Sequence, residues 1–367
     1  MSEKKIRALI GAGGTGGHLF PAMAVAEQLD MQTHGGFHAE FVGNPQKIES
    51  KVVPSAGYGF TPMPITGFKG LFSFDSLLLP FKILKSVSIC RKIINNYNIN
   101  VVICTGAYIS YPAGLAASKE NIPLVLMESN LTPGKAIRML SSKADLIITA
   151  FPDSEKFYPA PIKRIIKALG NPVRNNILID TNKLSARKKF NLDTDKFTVL
   201  IFGGSLGARS INAAANKLIN ASDSNKYQFI WQTGKNYQCD LSDNGNLWTS
   251  EFIDDMASAY AAADLVISRS GATTVSELCV VGKPSVLVPY PSASNNEQEL
   301  NAQYLSDNNA AILAYEDAII ENITDIVEDF YNNKNKLLEM SDAAKSLSKP
   351  NASQESAKAI IALIDNL

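Results

Sequence analysis

The chain contains little cysteine, little histidine and no long hydrophobic run. Its four cysteines lie far apart and form no CxxC pair, which argues against a disulfide framework or a zinc site. No stretch reaches the roughly 18 apolar residues of a membrane span, and the N-terminal apolar run is too short for a signal peptide. The 35 basic residues match the 35 acidic ones, so no global charge indicates a nucleic-acid partner. These absences predict a soluble cytoplasmic protein with reduced thiols.

Apolar, strand-like runs alternate with helical patterns along all 367 residues. Short buried strands separated by helices are typical of a parallel α/β sheet. The opening order of strand, glycine loop and helix returns at 197–218, so we predict two tandem Rossmann-like, doubly wound domains. Glycine, asparagine and proline interrupt the pattern within 168–177. We place the domains at 1–171 and 172–347, and we expect the last helix, about 348–367, to pack back on the first domain.

The first glycine loop, IGAGGTGGH at 10–18, follows the first strand and precedes a helix. The spacing of Gly11, Gly13 and Gly16 matches the GxGxxG pattern of dinucleotide-binding loops. That fold also needs an acidic residue at the end of the second strand, where this chain has AEFVGN, ending at Asn44. A nicotinamide cofactor is therefore disfavoured. A site for another ligand and a simple tight turn remain open.

A histidine stands where the first glycine loop becomes a helix. His34 and His38 lie in a polar segment, whereas His18 faces whatever the loop binds. Its usual pKa of about 6.5 suits proton transfer near neutrality. His18 is therefore a candidate base or substrate contact, and capping of local backbone groups is the alternative.

The second glycine loop, GGSLGAR at 203–209, favours phosphate binding. Gly203, Gly204 and Ser205 would offer backbone and hydroxyl donors at a helix N-terminus, and Arg209 adds positive charge. A plain tight turn is the alternative. Further along, SRSGATTVSE repeats the order of strand, glycine turn and helix, with its glutamate about two turns into the helix. That carboxylate is either a ribose ligand or an ordinary surface group.

A segment at 67–87 carries more aromatic and leucine residues than a loop needs, with lysines among them. Such a composition suits an anionic membrane surface. A core helix with solvated lysines is the alternative. The candidate membrane contacts are Phe68, Leu71, Phe72, Phe74, Lys82 and Lys85.

Five motifs occur in one order at suitable distances: GAGGTGGHLFPAMAVAEQL, GNPVR, FGGSLGAR, FIDDMASAYAAADLVISRSGATTVSEL and NNEQELNAQYL. Together they resemble the MurG family of glycosyltransferases over about residues 6–350. The resemblance implies the two-domain glycosyltransferase B fold, with two domains facing across a cleft. It also implies transfer of N-acetylglucosamine from UDP-N-acetylglucosamine to undecaprenyl-linked lipid I, giving lipid II for peptidoglycan synthesis, cell shape and division. The enzyme would bind peripherally to the cytoplasmic face of the bacterial inner membrane and would need no metal or other cofactor.

The resemblance also implies roles for individual residues. The second domain would bind the donor: Ile253 would hold uracil through its backbone, Glu277 the ribose, Ser205 and Arg174 the pyrophosphate, and Gln298 with Asn301 the sugar hydroxyls. In the first domain, Asn130 would face the sugar, and His18 would contact it or act as base. The remaining candidates are the substrate-binding residues Thr15, Gly16 and Gly17 and the acceptor-side residues Tyr108 and Ser110.

Three positions depart from the family pattern. Leu206 and Ser129 stand where the family often has glutamine, and Glu297 stands where histidine or glutamine is common. Leucine cannot donate a hydrogen bond, so any amide contact at that position is lost or supplied by another group. Asp193 and Asp195 form a carboxylate pair that could suggest a cation site. They precede a strand at its amino end, away from the expected active site, and we interpret them as part of a solvated loop.

Other functions remain possible from the sequence. A glycolipid glycosyltransferase and a UDP-N-acetylglucosamine epimerase could share the fold. A catalytically inactive sugar-nucleotide-binding protein would show the same glycine loops. The presence of His18, Glu277 and Gln298 argues against loss of activity, and turnover would separate the two classes.

Overall fold

A computed structural model describes residues 5–67, 78–179, 181–204, 206–235, 237 and 245–366. The chain forms two compact units. The first comprises Met1–Arg174 and Pro350–Leu367, and the second comprises Asn175–Lys349. No helix in the described part of the chain has the length and apolar character needed to cross a membrane.

The first unit contains a seven-stranded parallel sheet in the order β3-β2-β1-β4-β5-β6-β7. Its central strands are buried along nearly their whole length because helices cover both faces of the sheet. The strands are β1 (Ile6–Gly11), β2 (Phe37–Gly43), β3 (Gly59–Pro62), β4 (Val101–Cys104), β5 (Leu124–Glu128), β6 (Leu146–Thr149) and β7 (Ile166–Ala168).

Two hydrophobic cores lie on opposite faces of this sheet. Helix α1 (Gly16–Gln32) and the last helix of the chain, α14 (Ala352–Asp365), pack together on one face. Helices α3 (Leu79–Tyr97) and α4 (Ala107–Glu120) pack on the other. The shorter helices of this unit are α2 (Glu49–Ser55), α5 (Lys135–Leu140) and α6 (Ala160–Lys163), with 3-10 turns at Ser141–Lys143 and Pro152–Phe157.

The second unit contains a six-stranded parallel sheet in the order β10-β9-β8-β11-β12-β13. Trp231 and Phe330 are fully buried in the core on one of its faces. The strands are β8 (Phe197–Phe202), β9 (Tyr227–Gln232), β10 (Leu247–Ser250), β11 (Leu265–Ser268), β12 (Ser285–Leu287) and β13 (Ile312–Leu313). The helices are α7 (Lys183–Lys189), α8 (Arg209–Ala221), α9 (Met256–Ala262), α10 (Ala272–Val281), α11 (Glu297–Asp307), α12 (Glu316–Asn332) and α13 (Lys334–Ser346), with 3-10 turns at Asn175–Leu178 and Ser294–Asn296.

The strand order reverses at one point in each sheet. In the first unit, β1 lies between β2 and β4, and in the second, β8 lies between β9 and β11. Loops at the carboxyl ends of such strands diverge and leave a crevice, where open α/β sheets bind ligands. Both glycine loops follow the strands at these reversals. The predicted class of two doubly wound α/β domains is confirmed.

Candidate active site

His18 lies in the first turn of α1 and bonds to the loop that follows β4. Its Nδ1 is 2.8 Å from the carbonyl oxygen of Thr105, and the Thr105 hydroxyl donates to the His18 carbonyl at 2.8 Å. A carbonyl oxygen only accepts, so in the neutral ring Nδ1 carries the proton. The Nε2 atom then keeps its lone pair and can accept a hydrogen bond or a proton.

The surroundings of His18 favour its neutral form. Burial lowers the pKa of His18 below its usual 6.5, although the bond to Thr105 opposes this effect. Gly106 allows the ring to lie against the chain, because a Cβ there would come within 3.1 Å of the His18 Cε1 atom. A neutral imidazole at neutral pH is the form that can accept a proton.

Replacement of Gly106 by alanine is expected to impair both folding and the position of the imidazole. Gly106 has φ 94° and ψ −159°, a conformation that costs other residues about 1–3 kcal/mol. The matched control is Gly35→Ala, which also places alanine at positive φ but meets no atom within 4 Å. We expect both variants to lower the Tm, and only Gly106→Ala to lower kcat. Equal kcat values for the two folded variants would show that the contact with His18 has no effect.

The turn after β5 is organised around a buried carboxylate. Glu128 Oε1 accepts from the Asn130 amide at 2.9 Å, and Oε2 accepts from the Gly134 amide at 2.8 Å. The Asn130 side chain is 8 % exposed, with its Nδ2 at 3.4 Å from the same Oε1. Ser129 stands where the family often has glutamine, and its hydroxyl donates to Asn171 Oδ1 at 2.8 Å. The serine thus supplies a hydrogen bond inside the first unit.

The two acceptor-side candidates lie in different surroundings. Tyr108 is half-buried beside the first glycine loop, and burial raises the pKa of its phenol. Ser110 is fully buried, and its hydroxyl donates to the Gly11 carbonyl at 2.8 Å and lies in contact with the Gly106 carbonyl. The contact of Ser110 with the acceptor stays a prediction, and in this structure the hydroxyl faces the backbone. It links the ends of β1 and β4.

Helix α3 exposes two large apolar side chains beside a lysine. Phe81 is 70 % exposed and Leu84 is 62 % exposed, and Lys85 follows on the exposed surface. Lys82 is half-buried, with its Nζ 3.4 Å from Thr66 Oγ1. The other predicted membrane contacts, Phe68, Leu71, Phe72 and Phe74, lie outside the described residues.

In the second unit, a glutamine side chain joins two predicted donor-binding segments. Gln232 ends β9, and its Nε2 donates to the Gly204 carbonyl at 2.9 Å, while its Oε1 accepts from the Ile253 amide at 2.9 Å. The second glycine loop packs closely on the next segment, since a Cβ at Gly207 would come within 2.3 Å of the Thr233 carbonyl oxygen. The Ile253 amide is thus engaged within the protein, and a uracil that needs this N–H must displace Gln232.

The other predicted phosphate-binding positions lie in the second glycine loop and at the end of the first unit. Ser205 lies outside the described residues, and its neighbour Leu206 is 80 % exposed. Arg209 begins α8 with an exposed side chain, and Arg174 is half-buried where the first unit ends. The exposed position of Leu206 gives this loop an apolar side chain where the family often has an amide.

Glu277 is the most buried charged residue among those predicted to bind the donor. It lies in the second turn of α10, 3 % exposed, and its Oε2 accepts from the Tyr260 hydroxyl at 3.0 Å. The Tyr260 ring in turn packs edge-on against Phe202 at the end of β8. An ordinary surface role for this glutamate is therefore excluded. A fixed, buried carboxylate near the strand ends suits the binding of hydroxyl groups.

The start of α11 is joined to the turn after β11. The Ser270 hydroxyl donates to the Gln298 carbonyl at 2.7 Å, and Asn301 Nδ2 donates to the Ser270 carbonyl at 3.3 Å. Gln298 Oε1 accepts from the Tyr290 amide at 3.0 Å. Asn301 is fully buried and braces the turn, and its place beside the sugar hydroxyls stays a prediction. Burial raises the pKa of the neighbouring Glu297.

In the first glycine loop, Thr15 is the exposed residue that precedes α1, and Gly16 and Gly17 form the half-buried start of that helix.

Four residues of the two sites were not predicted from the sequence: Thr105, Gly106, Gln232 and Tyr260. Thr105 and Gln232 are polar residues at strand ends, a signal that could have been used. Tyr260 lies among alanines in the sequence, a pattern that indicates a core residue and not a binding residue.

Comparisons with known proteins match both units of the chain. The glycosyltransferase family 28 N-terminal domain matches residues 8–149, and the family 28 C-terminal domain matches residues 198–356. Two similar proteins are named UDP-N-acetylglucosamine–N-acetylmuramyl-(pentapeptide) pyrophosphoryl-undecaprenol N-acetylglucosamine transferase. That of Bacteroides thetaiotaomicron is 37 % identical over 99 % of each chain, and that of Flavobacterium psychrophilum is 38 % identical over 98 % of each.

The crystal structure of Acinetobacter baumannii MurG is 27 % identical in sequence. It has a TM-score of 0.75 and covers 99 % of this chain and 100 % of its own. The fold is therefore of the glycosyltransferase B type. Both family domains, the full-length relatives and this structural match lead to one assignment: the chain belongs to glycosyltransferase family 28 and, within it, to the MurG family of N-acetylglucosaminyltransferases.

Proposed function

We propose that this enzyme transfers N-acetylglucosamine from UDP-N-acetylglucosamine to the 4-hydroxyl of the muramoyl sugar of undecaprenyl-linked lipid I, with inversion at the anomeric carbon. Both substrates are those in the names of its relatives. The observation that carries the mechanism is the bond from His18 Nδ1–H to the Thr105 carbonyl. It leaves Nε2 as a base at the strand reversal of the first unit.

In the proposed reaction, the acceptor hydroxyl gives its proton to His18 Nε2 as its oxygen attacks the anomeric carbon. The new carbon–oxygen bond forms on the face opposite UDP. The bond to the pyrophosphate oxygen breaks, and its electron pair leaves with UDP. One displacement of this kind inverts the anomeric centre.

The leaving pyrophosphate gains negative charge during the displacement. We assign its stabilisation to the second glycine loop, the N-terminus of α8 and Arg174. Backbone N–H groups and a helix dipole lower the energy of charge that develops in the transition state. This positive charge allows a reaction without a metal ion.

Donor recognition is assigned to the second unit. Glu277 would accept hydrogen bonds from the ribose hydroxyls, and Gln298 would contact the sugar. Asn130 would contact the sugar from the first unit. The carboxylate of Glu277 is held by Tyr260, so little side-chain freedom is lost when a ribose binds.

The stereochemistry of the product tests this proposal. The enzyme is incubated with UDP-N-acetylglucosamine and a soluble lipid I analogue, and the product is examined by mass spectrometry and proton NMR. We expect the addition of one N-acetylglucosamine in the β configuration at the 4-hydroxyl. An α-linked product would contradict inversion, and a different linkage position would contradict the proposed acceptor atom.

We propose that the exposed end of α3 contacts the anionic cytoplasmic face of the inner membrane, where the enzyme binds peripherally. Phe81 and Leu84 present apolar surface beside Lys85. Replacing both apolar residues by serine is expected to lower co-sedimentation with phosphatidylglycerol vesicles by about tenfold or more. Met139→Ser, which replaces another exposed apolar side chain of the same unit, is the control. Equal losses in the two variants would argue against a specific membrane contact.

A further inference from the structure

The first glycine loop contains an internal carboxylate. Glu49 begins α2 and is fully buried, although it belongs to a polar segment of the sequence. Its Oε2 accepts from the Gly14 amide at 3.0 Å, and its Oε1 accepts from the Asn44 amide at 2.9 Å. Both oxygens of one carboxylate are thus bonded to the backbone at the ligand-binding edge of the sheet.

The backbone is shaped to admit this carboxylate. A Cβ at Gly13 would come within 2.5 Å of Glu49 Cδ, and a Cβ at Gly43 would come within 2.5 Å of Glu49 Cγ. Gly13 belongs to the loop after β1, and Gly43 is the last residue of β2. A loop glycine after β1 and the last residue of β2 therefore leave space for one side chain, and Glu49 links the ends of these two neighbouring strands.

The chemistry of the loop follows from this contact. Backbone N–H groups in a glycine loop are ordinary ligands for a phosphate. Here the Gly14 amide is already bonded to a carboxylate, and no ion pair neutralises Glu49 within the described part of the chain. A phosphate at the same amide would displace Glu49 or lie against its negative charge, and both are unfavourable. A neutral sugar hydroxyl beside the loop is not repelled by the carboxylate.

We propose that Glu49 is a positioning residue for the transfer reaction: it occupies the first glycine loop as an internal anion, fixes the start of α1 that carries His18, and reserves this loop for a neutral sugar. The inference rests on the proposed function. Gly14 is four residues before His18, and the residue between the loop and the helix is the N-cap, Thr15. A shift of the Gly14 amide is therefore transmitted directly to the first turn of α1.

The variant Glu49→Gln tests the positioning role. Glutamine has the same shape, but its NH₂ group would oppose one of the two backbone N–H donors. We expect kcat to fall about 10- to 100-fold, as for a small displacement of a reacting group. The Kd for UDP-N-acetylglucosamine should change little, because most of the donor contacts are assigned to the second unit. Glu49→Asp keeps both accepting oxygens, so its kcat is expected to be higher than that of Glu49→Gln.

The matched control is Glu155→Gln, which replaces an exposed carboxylate of the same unit. It should have the kinetics of the unmodified enzyme. A Glu49→Gln enzyme with unchanged kcat would overturn the positioning role. A loss that appears equally in kcat and in donor Kd would also overturn it, since general unfolding affects both.

A second measurement uses the unmodified chain and does not depend on turnover. The ¹⁵N–¹H signals of Gly14 and Asn44 are followed while inorganic pyrophosphate is added. We expect both signals to stay in place, because Glu49 already occupies these amides. Saturable movement of both would show that an anion displaces Glu49 and would overturn the inference. If the signals stay but no acceptor-dependent transfer occurs, the proposed function fails while the internal anion stands.

Discussion

Replacing His18 by alanine is expected to lower kcat by about 100- to 10,000-fold, the usual contribution of a positioned general base. The variant loses Nε2, the atom that we assign to accept the proton of the acceptor hydroxyl. Donor affinity should change little, because the residues assigned to UDP-N-acetylglucosamine lie mainly in the second unit. The measurement is steady-state UDP release with a lipid I analogue, together with calorimetric titration of the donor.

The control for this variant is His38→Ala, which removes an exposed histidine of the same unit. It should retain full activity. The pH dependence of the unmodified enzyme gives a second readout. Because burial lowers the pKa of His18 in the ligand-free protein, kcat/KM should fall only on acidification through a pKa below 6.5, and should level off above it. A kcat/KM that declines as the pH rises from 6 to 8 would instead indicate that the protonated ring is active.

The second large effect is expected at Glu277. Its replacement by glutamine removes the charge from a buried carboxylate that we assign to the ribose hydroxyls. A hydrogen bond to a charged group contributes about 1.5–3 kcal/mol, so the Kd for UDP-N-acetylglucosamine should rise about 10- to 100-fold. Titration calorimetry with UDP-N-acetylglucosamine measures this change directly.

Two further variants separate ligand binding from structural support. Tyr260→Phe keeps the carboxylate and removes only the hydroxyl that holds it, so a smaller rise in Kd is expected. Glu321→Gln replaces an exposed carboxylate of the same unit and should leave Kd unchanged. A Glu277→Gln protein that binds the donor as tightly as the unmodified chain would remove Glu277 from the assigned site.

The fold class could be predicted because its signals are local. Each central strand is a short apolar run, and each glycine loop interrupts the pattern just before a helix, as at Gly203 and Gly11. Parallel sheets buried on both faces require such runs. The return of the same pattern at 197–218 predicted a second doubly wound sheet, and the structure has one.

The contacts that set the chemistry of the site could not be predicted in the same way. His18 and Thr105 are 87 residues apart and meet only because β1 pairs with β4. Glu49 lies in a polar segment with no apolar pattern, so nothing in the sequence indicates that it is buried. Pairing between strands decides both contacts, and local patterns do not report it.

The direction of individual side chains accounts for the remaining differences between the predicted and the observed surroundings of the site residues. Ser110 and Asn301 were chosen by resemblance, but each side chain turns inward and bonds to backbone carbonyl groups. The backbone of Ile253 is predicted to hold uracil, and in this ligand-free structure its amide donates to Gln232. A one-residue change in helix phase or loop path reverses such directions. Motifs identify the segment of a site more securely than the atoms that reach the ligand.

We propose an acceptor-dependent glycosyl transfer that needs no metal ion. Its most direct test measures UDP release from UDP-N-acetylglucosamine in detergent and EDTA, with and without a lipid I analogue. We predict release that requires the acceptor and persists in EDTA. Tight binding of UDP without turnover would contradict the transferase assignment, and activity abolished by EDTA and restored by a divalent cation would contradict the metal-independent mechanism.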